Sequence, residues 1–206
     1  MTMRKKLLIT IACLSCILCV MVTGTIAWLT DETGTVTNTF TPSKIDIDLV
    51  ETTGGEYQMI PGKSYTKDPT VKVAASSEAC YVFVQVVEDL GSWTATGKTF
   101  ADYMTYSVAG ANGWIALDGA EGVYYQKLDA VTAAAGTTIP VLNGNTIAVK
   151  GTVNKTDMDK LYANNATNPT LKFTAYAIQS EYLDYGVATT ENAKALVAWN
   201  TIKNPN

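Results

Sequence analysis

The stretch that most constrains the fold is residues 80–87, Cys-Tyr-Val-Phe-Val-Gln-Val-Val, the most apolar segment after residue 27. Successive side chains of a strand point to opposite faces of its sheet. Apart from Gln85, both alternating sets here are apolar, so neither face suits water. We therefore predict a central strand that is covered on both sides.

The rest of the chain after residue 27 has the composition of short strands. Thr, Val, Ile and Tyr dominate, and Gly, Asn, Asp and Pro interrupt them. Residues 44–51 and 171–180 alternate most clearly between two faces. Asn143-Gly144 predicts a two-residue hairpin between residues 139–142 and 146–153. Further strands are predicted at residues 65–74, 104–108, 114–117 and 123–128.

Two short helices complete the prediction. Thr156 with Asp159 resembles a capping box that opens a turn through Tyr162. Residues 191–199 place Ala195, Leu196 and Trp199 on one face. Many short strands separated by turns, with only one or two short helices, indicate a mainly β protein, an antiparallel β-sandwich.

The N-terminus has the pattern of an export signal. A basic start at residues 4–6 precedes an apolar run over residues 7–22. That run is shorter than the about 20 residues that span a membrane, but it fits the apolar core of a signal peptide. Thr25 and Ala27 stand where a signal peptidase requires small residues. We predict cleavage after Ala27, a mature chain that begins at Trp28, and membrane attachment only through the uncleaved signal peptide.

Three motifs near this site carry a family resemblance. Residues 28–31 (WLTD), 37–41 (TNTFT) and 45–49 (IDIDL) resemble the start of the TasA/camelysin (CalY) family of exported Gram-positive proteins. Pro42-Ser43 replaces the small or Gly-containing turn that is usual before the last motif. The resemblance is specific over residues 1–50 and weaker at residues 171–179.

The resemblance implies more than export. It implies a dedicated signal peptidase of the SipW type, a jelly-roll form of the sandwich, and fibre growth by donor-strand exchange. In that exchange the N-terminal strand of one subunit completes the sheet of the next. Residues 28–43 would be the assembly arm and residues 44–206 the sandwich domain. The inserting side chains would be Trp28, Val36 and Phe40.

The arm has a second interpretation. Residues 28–40 can form a strand, but they are Thr-rich and too polar to nucleate one alone, and Gly34 weakens the segment further. The arm could therefore pair as an edge strand within its own domain. The residues alone leave both arrangements open.

Charge argues against nucleic acid as a partner. Removal of residues 1–27 takes three of the 15 basic residues and none of the 19 acidic ones, which leaves a net charge of −7. Phosphate binding needs clustered Lys and Arg, whereas a spread negative charge favours a soluble surface.

No catalytic constellation is evident. The chain has no histidine, and Cys80 is the one cysteine after residue 27. Histidine triads and the usual zinc sites are thereby excluded, which argues against the metalloprotease activity that the camelysin name suggests. The pairs Asp46/Asp48 and Asp157/Asp159 lack the spacing of a calcium loop, so we interpret them as a solvated strand face and a helix start. No metal or cofactor is expected.

Two further sets of side chains have competing interpretations. Cys80 could be a reactive thiol or an intermolecular disulfide partner, but its place in an apolar strand favours a buried, inert thiol. Five aromatics could form a carbohydrate platform, but core and cross-strand packing explains most of them better. They are Trp93, Trp114, Tyr124, Tyr125 and Tyr176.

These observations predict a secreted, non-enzymatic structural subunit of an extracellular fibre or biofilm matrix, in the matrix or at the surface of a Gram-positive bacterium. It would self-associate into filaments. The alternatives are a monomeric adhesion or binding domain at the cell surface and, against the absence of histidine, a camelysin-like metalloprotease.

Overall fold

The computed structural model describes residues 3–6, 8, 44–53, 55–108, 110, 112–163 and 166–204. The chain divides into two compact units, residues 1–41 and residues 42–206. In the first unit the described residues 3–6 and 8 are helical. The second unit contains the strands and helices that follow.

The described residues of the second unit form ten strands and three α-helices. The strands are β1 Ile47–Val50, β2 Ser64–Thr66, β3 Thr70–Val73, β4 Cys80–Asp89, β5 Met104–Thr105, β6 Ile115–Ala116, β7 Val123–Leu128, β8 Thr137–Pro140, β9 Thr146–Val149 and β10 Thr170–Gln179. The helices are α1 Phe100–Tyr103, α2 Lys155–Leu161 and α3 Glu191–Lys203. Two 3-10 turns lie at Gly91–Thr96 and Asn143–Asn145.

The strands pair into three antiparallel sheets. Sheet 1 has the order β1-β3-β8, sheet 2 the order β10-β4-β7-β6, and sheet 3 the order β2-β9-β5. The prediction of a mainly β, sandwich-like protein is confirmed. The jelly-roll connectivity that the family resemblance implies stays a prediction.

The predicted central strand is confirmed as β4, which lies between β10 and β7 in sheet 2. Its even-numbered apolar residues, such as Val82 and Val84, belong to a core shared with Val71 of sheet 1. Its odd-numbered aromatics, Tyr81 and Phe83, belong to a separate core on the opposite face. The double apolar pattern of β4 thus reflects two cores, one on each side of sheet 2.

Helix α3 covers the second core. Ala195, Ala198 and Trp199 are buried there, and the Trp199 ring lies 5.4 Å from the ring of Phe83. The predicted helix over residues 191–199 is confirmed but extends to Lys203. Thr190 caps it, because its hydroxyl accepts the Ala193 N–H at 3.2 Å.

Strand β10 confirms the alternation predicted for residues 171–180. Its odd-numbered side chains, such as Leu171 and Phe173, face the core between sheets 1 and 2. Tyr176 and Ile178 face the core under α3. The strand is antiparallel to β4, with Ala175 opposite Val84.

A third, smaller core lies beside sheet 3. The rings of Trp93 and Tyr103 stack there with centroids 4.1 Å apart, and Val149 and Val153 are buried with them. Met158 of α2 packs against this cluster. These residues come from segments that are distant in sequence, so strand periodicity alone does not reveal them.

The single strand predicted for residues 65–74 is wrong. The structure has β2 in sheet 3 and β3 in sheet 1, separated by residues 67–69. The Lys67 N–H still donates to the Asn145 carbonyl at 2.8 Å, but Pro69 has no N–H to donate, so the ladder is interrupted here. The chain uses this break to pass from one sheet to another.

The hairpin predicted at Asn143-Gly144 is also wrong. Strand β8 pairs with β3, whereas β9 pairs with β2 and β5, so the flanking strands lie in different sheets. Gly144 does adopt a positive φ of 65°. The Asn143 N–H donates to the Ser107 carbonyl at 2.8 Å rather than across a hairpin. A turn does form here, but the residues with positive φ are Gly144 and Asn145 rather than Asn143 and Gly144, and long-range pairing decides where the flanking strands lie.

The first predicted helix begins earlier than expected. Asn154, not Thr156, caps α2: its side chain accepts the Asp157 N–H at 3.1 Å. The Asp157 carboxylate in turn accepts the Asn154 N–H at 3.3 Å, which completes a capping box shifted by two residues. The strands predicted at residues 104–108 and 114–117 exist, as the two-residue β5 and β6.

We expect Phe83→Ala to lower the free energy of unfolding by about 3–5 kcal/mol, because the side chain is fully buried against α3 and leaves a cavity. The control is Val87→Ala on the same strand, where the side chain is 45% exposed. That change should cost less than about 1 kcal/mol. Denaturant unfolding of both variants measures the difference, and equal losses would show that α3 does not depend on Phe83.

Candidate functional site

The residues predicted to act in export and assembly lie outside the described part of the chain. Thr25, Ala27 and Trp28 of the cleavage site are among them, as are Val36 and Phe40 of the arm. Cleavage and arm insertion therefore stay predictions. An inserting strand requires an open sheet edge on which to pair.

Within the described residues, the six edge strands differ greatly in length. Strands β5 and β6 have two residues each, β2 has three, and β1 and β8 have four. Strand β10 has ten residues and lies at the edge of sheet 2, with β4 on its other side. It is the longest edge on which another strand could pair.

Sheet 1 protects its two edges in ordinary ways. Strand β8 ends in Pro140, which has no N–H to donate. Strand β1 carries outward-facing Asp48, and just before it the Lys44 ammonium pairs with the Asp46 carboxylate at 2.8 Å. Charges and proline at an edge discourage pairing with another chain.

Strand β10 carries few such residues, although β1 of sheet 1 lies close to it. Its sequence, TLKFTAYAIQ, contains Lys172 as its one charged residue and no proline. Leu171 and Phe173 face the core but remain half-buried, whereas Val84 and Val86 on the neighbouring β4 are buried. The apolar face therefore continues to the rim of sheet 2 without full cover.

A partly buried ion pair lies next to this rim. The ammonium of buried Lys67 is 2.8 and 3.0 Å from the two carboxylate oxygens of exposed Glu51. It also lies 5.5 Å from the ring centroid of Phe173 in β10. Removal of Glu51 would leave the buried ammonium without this partner.

Asp68 ties the end of β1 to the break between β2 and β3. One carboxylate oxygen accepts the N–H groups of Thr52 and Thr53, each at 3.0 Å, and both threonine hydroxyls also donate to the carboxylate. These hydrogen bonds, the Thr52 hydroxyl foremost, lower the pKa of Asp68 from 3.8 to about 2. The stabilisation is therefore present above the pKa of the unfolded chain and is lost as the pH falls through about 2.

We expect Asp68→Asn to lower the midpoint of thermal unfolding at pH 7, because an amide cannot accept all four hydrogen bonds. The difference between parent and variant should shrink as the pH falls from about 4 to about 2. Asp129→Asn, at an exposed loop position, is the matched control and should change little. A difference that is constant across this pH range would contradict the role of the Asp68 charge.

The two acidic pairs have different environments. Asp48 on β1 and Asp46 just before it are exposed, as expected of a solvated strand face. Asp157 is buried, contrary to the interpretation as a solvated helix start, because it closes the capping box and lies 3.4 Å from the Lys98 ammonium. In the part of the chain that the structure describes, no three His, Cys, Asp or Glu side chains are grouped as metal ligands would be.

The aromatic side chains mostly pack in the cores. Trp93, Trp114 and Tyr125 are buried. The Trp93 indole donates to the Asp157 carbonyl at 2.7 Å, and the Trp114 indole donates to the Pro140 carbonyl at 2.8 Å. For these three side chains the structure confirms core packing rather than a carbohydrate platform. Tyr124 and Tyr176 are half-buried.

Cys80 is fully buried between sheets 1 and 2, as predicted. Burial raises the pKa of its thiol to about 11. The thiolate, which is the reactive form, is therefore scarce at neutral pH.

We expect the native chain that begins at Trp28 to react with a thiol reagent such as DTNB only as fast as it unfolds. Labelling in denaturant should be complete at once, since Cys80 is then exposed. The control is the same chain with Thr201→Cys, which places a thiol at an exposed position of α3 and should label rapidly when folded. Rapid labelling of the native parent would overturn the assignment of an inert thiol.

Two surface features were not anticipated from the sequence. One is a cleft beneath residues 55–60, with a mostly apolar inner cavity and a more polar outer cavity, which Met59, Met158 and Tyr162 help to line. The other is the loop of residues 181–189, where Tyr182 and Val187 are almost fully exposed. The cleft combines distant segments, so its signal was not visible in local patterns. The apolar residues of the loop do not follow the spacing of a strand or a helix, and this is the sequence signal that could have identified them as exposed.

Comparison of the sequence with protein-family models found no match, and comparison with curated proteins found none either. Among the described helices, none has the length and apolar character needed to span a membrane.

Proposed function

We propose that the chain is a secreted structural subunit of an extracellular fibre or biofilm matrix, and that its N-terminal arm pairs with the β10 edge of the next subunit. The observation that carries the proposal is the ten-residue, nearly uncharged edge of β10. The resemblance of residues 1–50 to the TasA/camelysin family supports export by a SipW-type peptidase and the same mode of assembly.

The dimensions of arm and edge are compatible. A ten-residue strand is about 33 Å long at about 3.3 Å per residue. The arm, residues 28–43, has sixteen residues and could extend over about 53 Å at the same rise. It can therefore cover the β10 edge and still leave residues to connect to its own domain.

The side-chain pattern also fits. Val36 and Phe40 fall on one face of an extended arm, and Thr35 and Thr39 on the other. Half-buried Leu171 and Phe173 at the rim of sheet 2 would gain cover from the apolar face of an added strand. Backbone hydrogen bonds would supply strength, and the apolar side chains would set the register.

Such a contact joins unlike surfaces of two copies. A head-to-tail contact that does not close into a ring produces a filament. Cleavage after Ala27 would release the arm from the apolar signal segment, so export and assembly would be coupled.

A monomeric surface-binding domain is the second candidate, and one groove favours it. Glu88, Tyr106, Tyr124 and Lys150 line a cavity of about 340 Å³ between sheets 2 and 3. The Tyr106 hydroxyl donates to the Glu88 carboxylate at 2.6 Å. A carboxylate, an ammonium group and two tyrosine rings suit a hydroxyl-rich ligand such as a saccharide. A camelysin-like protease has less support, because the chain offers no histidine for a zinc ion.

The test compares a chain that begins at Trp28 with one that begins at Pro42. The second start keeps Lys44, whose carbonyl accepts the Glu78 N–H at 3.0 Å, and it coincides with the boundary of the compact unit. Light scattering and negative-stain microscopy at rising concentration should show filaments for the longer chain and monomers for the shorter one. If both remain monomeric and equally folded, the fibre proposal fails and the binding domain takes its place.

Two double variants of the longer chain test the role of the arm's faces. Val36→Asp with Phe40→Asp should abolish filaments, because a charge would enter the apolar rim of the next subunit. Thr35→Asp with Thr39→Asp adds the same charge on the opposite face and should leave filaments largely intact. Equal effects of the two pairs would show that the arm does not insert in the proposed register.

A further inference from the structure

We propose that the folded unit carries a second self-association contact, in which the projecting loop of one copy, residues 181–189, docks into the cleft beneath residues 55–60 of another. This contact does not involve the N-terminal arm. It goes beyond the proposed donor-strand pairing and can be tested separately from it.

The cleft consists of two adjoining cavities of about 150 and 450 Å³. They share Tyr57, Met59 and Pro169 as lining residues. At the mouth, Ile60 is 41% exposed and Tyr162 is 79% exposed. A cavity of this size, open and rimmed by exposed apolar side chains, can accept an aromatic ring.

Methionines give the cleft an adaptable wall. Of the six methionines in the chain, Met59, Met104 and Met158 follow the predicted cleavage site. All three line one or the other of the two cavities. Unbranched thioether side chains fill irregular gaps and contact aromatic rings favourably. The inner cavity, whose lining is mostly apolar, is therefore suited to an inserted aromatic side chain.

The projecting loop offers such a side chain. Tyr182 is 94% exposed and Val187 is 98% exposed, an unusual presentation for two large apolar residues in one short loop. The backbone at Tyr182 has a positive φ of 62°, which a non-glycine residue rarely adopts. The Tyr185 hydroxyl donates to the Ser180 carbonyl at 2.6 Å and braces the base of the loop. The loop is thus held in a form that directs its apolar residues outward.

Loop and cleft lie at opposite ends of one strand. Pro169, Thr170 and Leu171, at the start of β10, line the cleft. The loop begins two residues after Gln179, the last residue of β10. Ten residues of strand separate them by about 33 Å. One copy therefore cannot fill its own cleft with its own loop, and the occupant must come from a second copy in a head-to-tail arrangement.

Charge is complementary across the proposed contact. The loop carries Glu181 and Asp184, both exposed. Near the cleft, Lys63 lies 4.9 Å from the ring centroid of Tyr65, which lines the inner cavity, and Lys160 precedes Leu161, which lines the outer one. Opposite charges favour this pairing over loop-to-loop association.

The test uses cysteine cross-linking in the chain that begins at Trp28. Buried Cys80 does not compete with a surface thiol. One chain carries Val187→Cys, which leaves Tyr182 in place, and the other carries Tyr162→Cys at the mouth of the cleft. A short bismaleimide reagent should join this pair at least about tenfold faster than the control pair, since docking holds the thiols at a high effective concentration. The control partner carries Lys72→Cys, at an exposed position on the outer face of sheet 1.

A second substitution tests the inserted side chain. Addition of Tyr182→Ser to the Val187→Cys chain should reduce its cross-linking with Tyr162→Cys to the control rate. Equal rates for all pairs, or no effect of Tyr182→Ser, would overturn the proposal. So would preferential cross-linking of Tyr162→Cys to a cysteine placed at Val36, because the arm would then be the occupant of the cleft.

The arm and the loop can be separated in the same assay. In a chain with Val36→Asp and Phe40→Asp, filaments should disappear while the preference of Val187→Cys for Tyr162→Cys persists. Loss of that preference together with the filaments would show that loop docking is only a consequence of arm-driven assembly, and would refute an independent contact.

Discussion

The structure depends on the double burial of β4. Because apolar side chains leave both faces of this strand, sheet 2 must be covered by sheet 1 on one side and by α3 on the other. The hydrophobic contribution of each face is large, and neither would be stable without its cover. The positions of β10, β7 and α3 follow from this requirement.

Local patterns predicted the elements whose burial is strictly periodic. The two faces of β10, the centrality of β4 and the inner face of α3 were all visible in the order of side chains. Residues 65–74 and Asn143-Gly144 were misassigned, because in both places the chain passes between sheets. A local alternation of side chains looks the same whether one strand continues or two strands of different sheets follow each other. Only the long-range pairing of the strands distinguishes the two cases.

Of the surfaces proposed for self-association, the arm was predictable from the sequence, whereas the β10 edge and the cleft were not. The alternation of Val36 and Phe40 and the motifs of residues 28–49 predicted an arm from the sequence. The length of the β10 edge became apparent only once its neighbours were known. The methionine-lined cleft could not be predicted, because Met59, Met104 and Met158 are brought together by three different segments. Surfaces assembled from distant segments leave no periodic trace.

The position of β10 and α3 along the chain has a consequence for the order in which the fold can be completed. Both elements lie in the last forty residues, and β10 pairs with a strand that precedes it by about ninety residues. Until residues 170–203 have been synthesised, β4 lacks one neighbour and the aromatic face of sheet 2 has no helix above it. Both cores of sheet 2 therefore depend on contacts of high sequence separation, which are the slowest to form during folding.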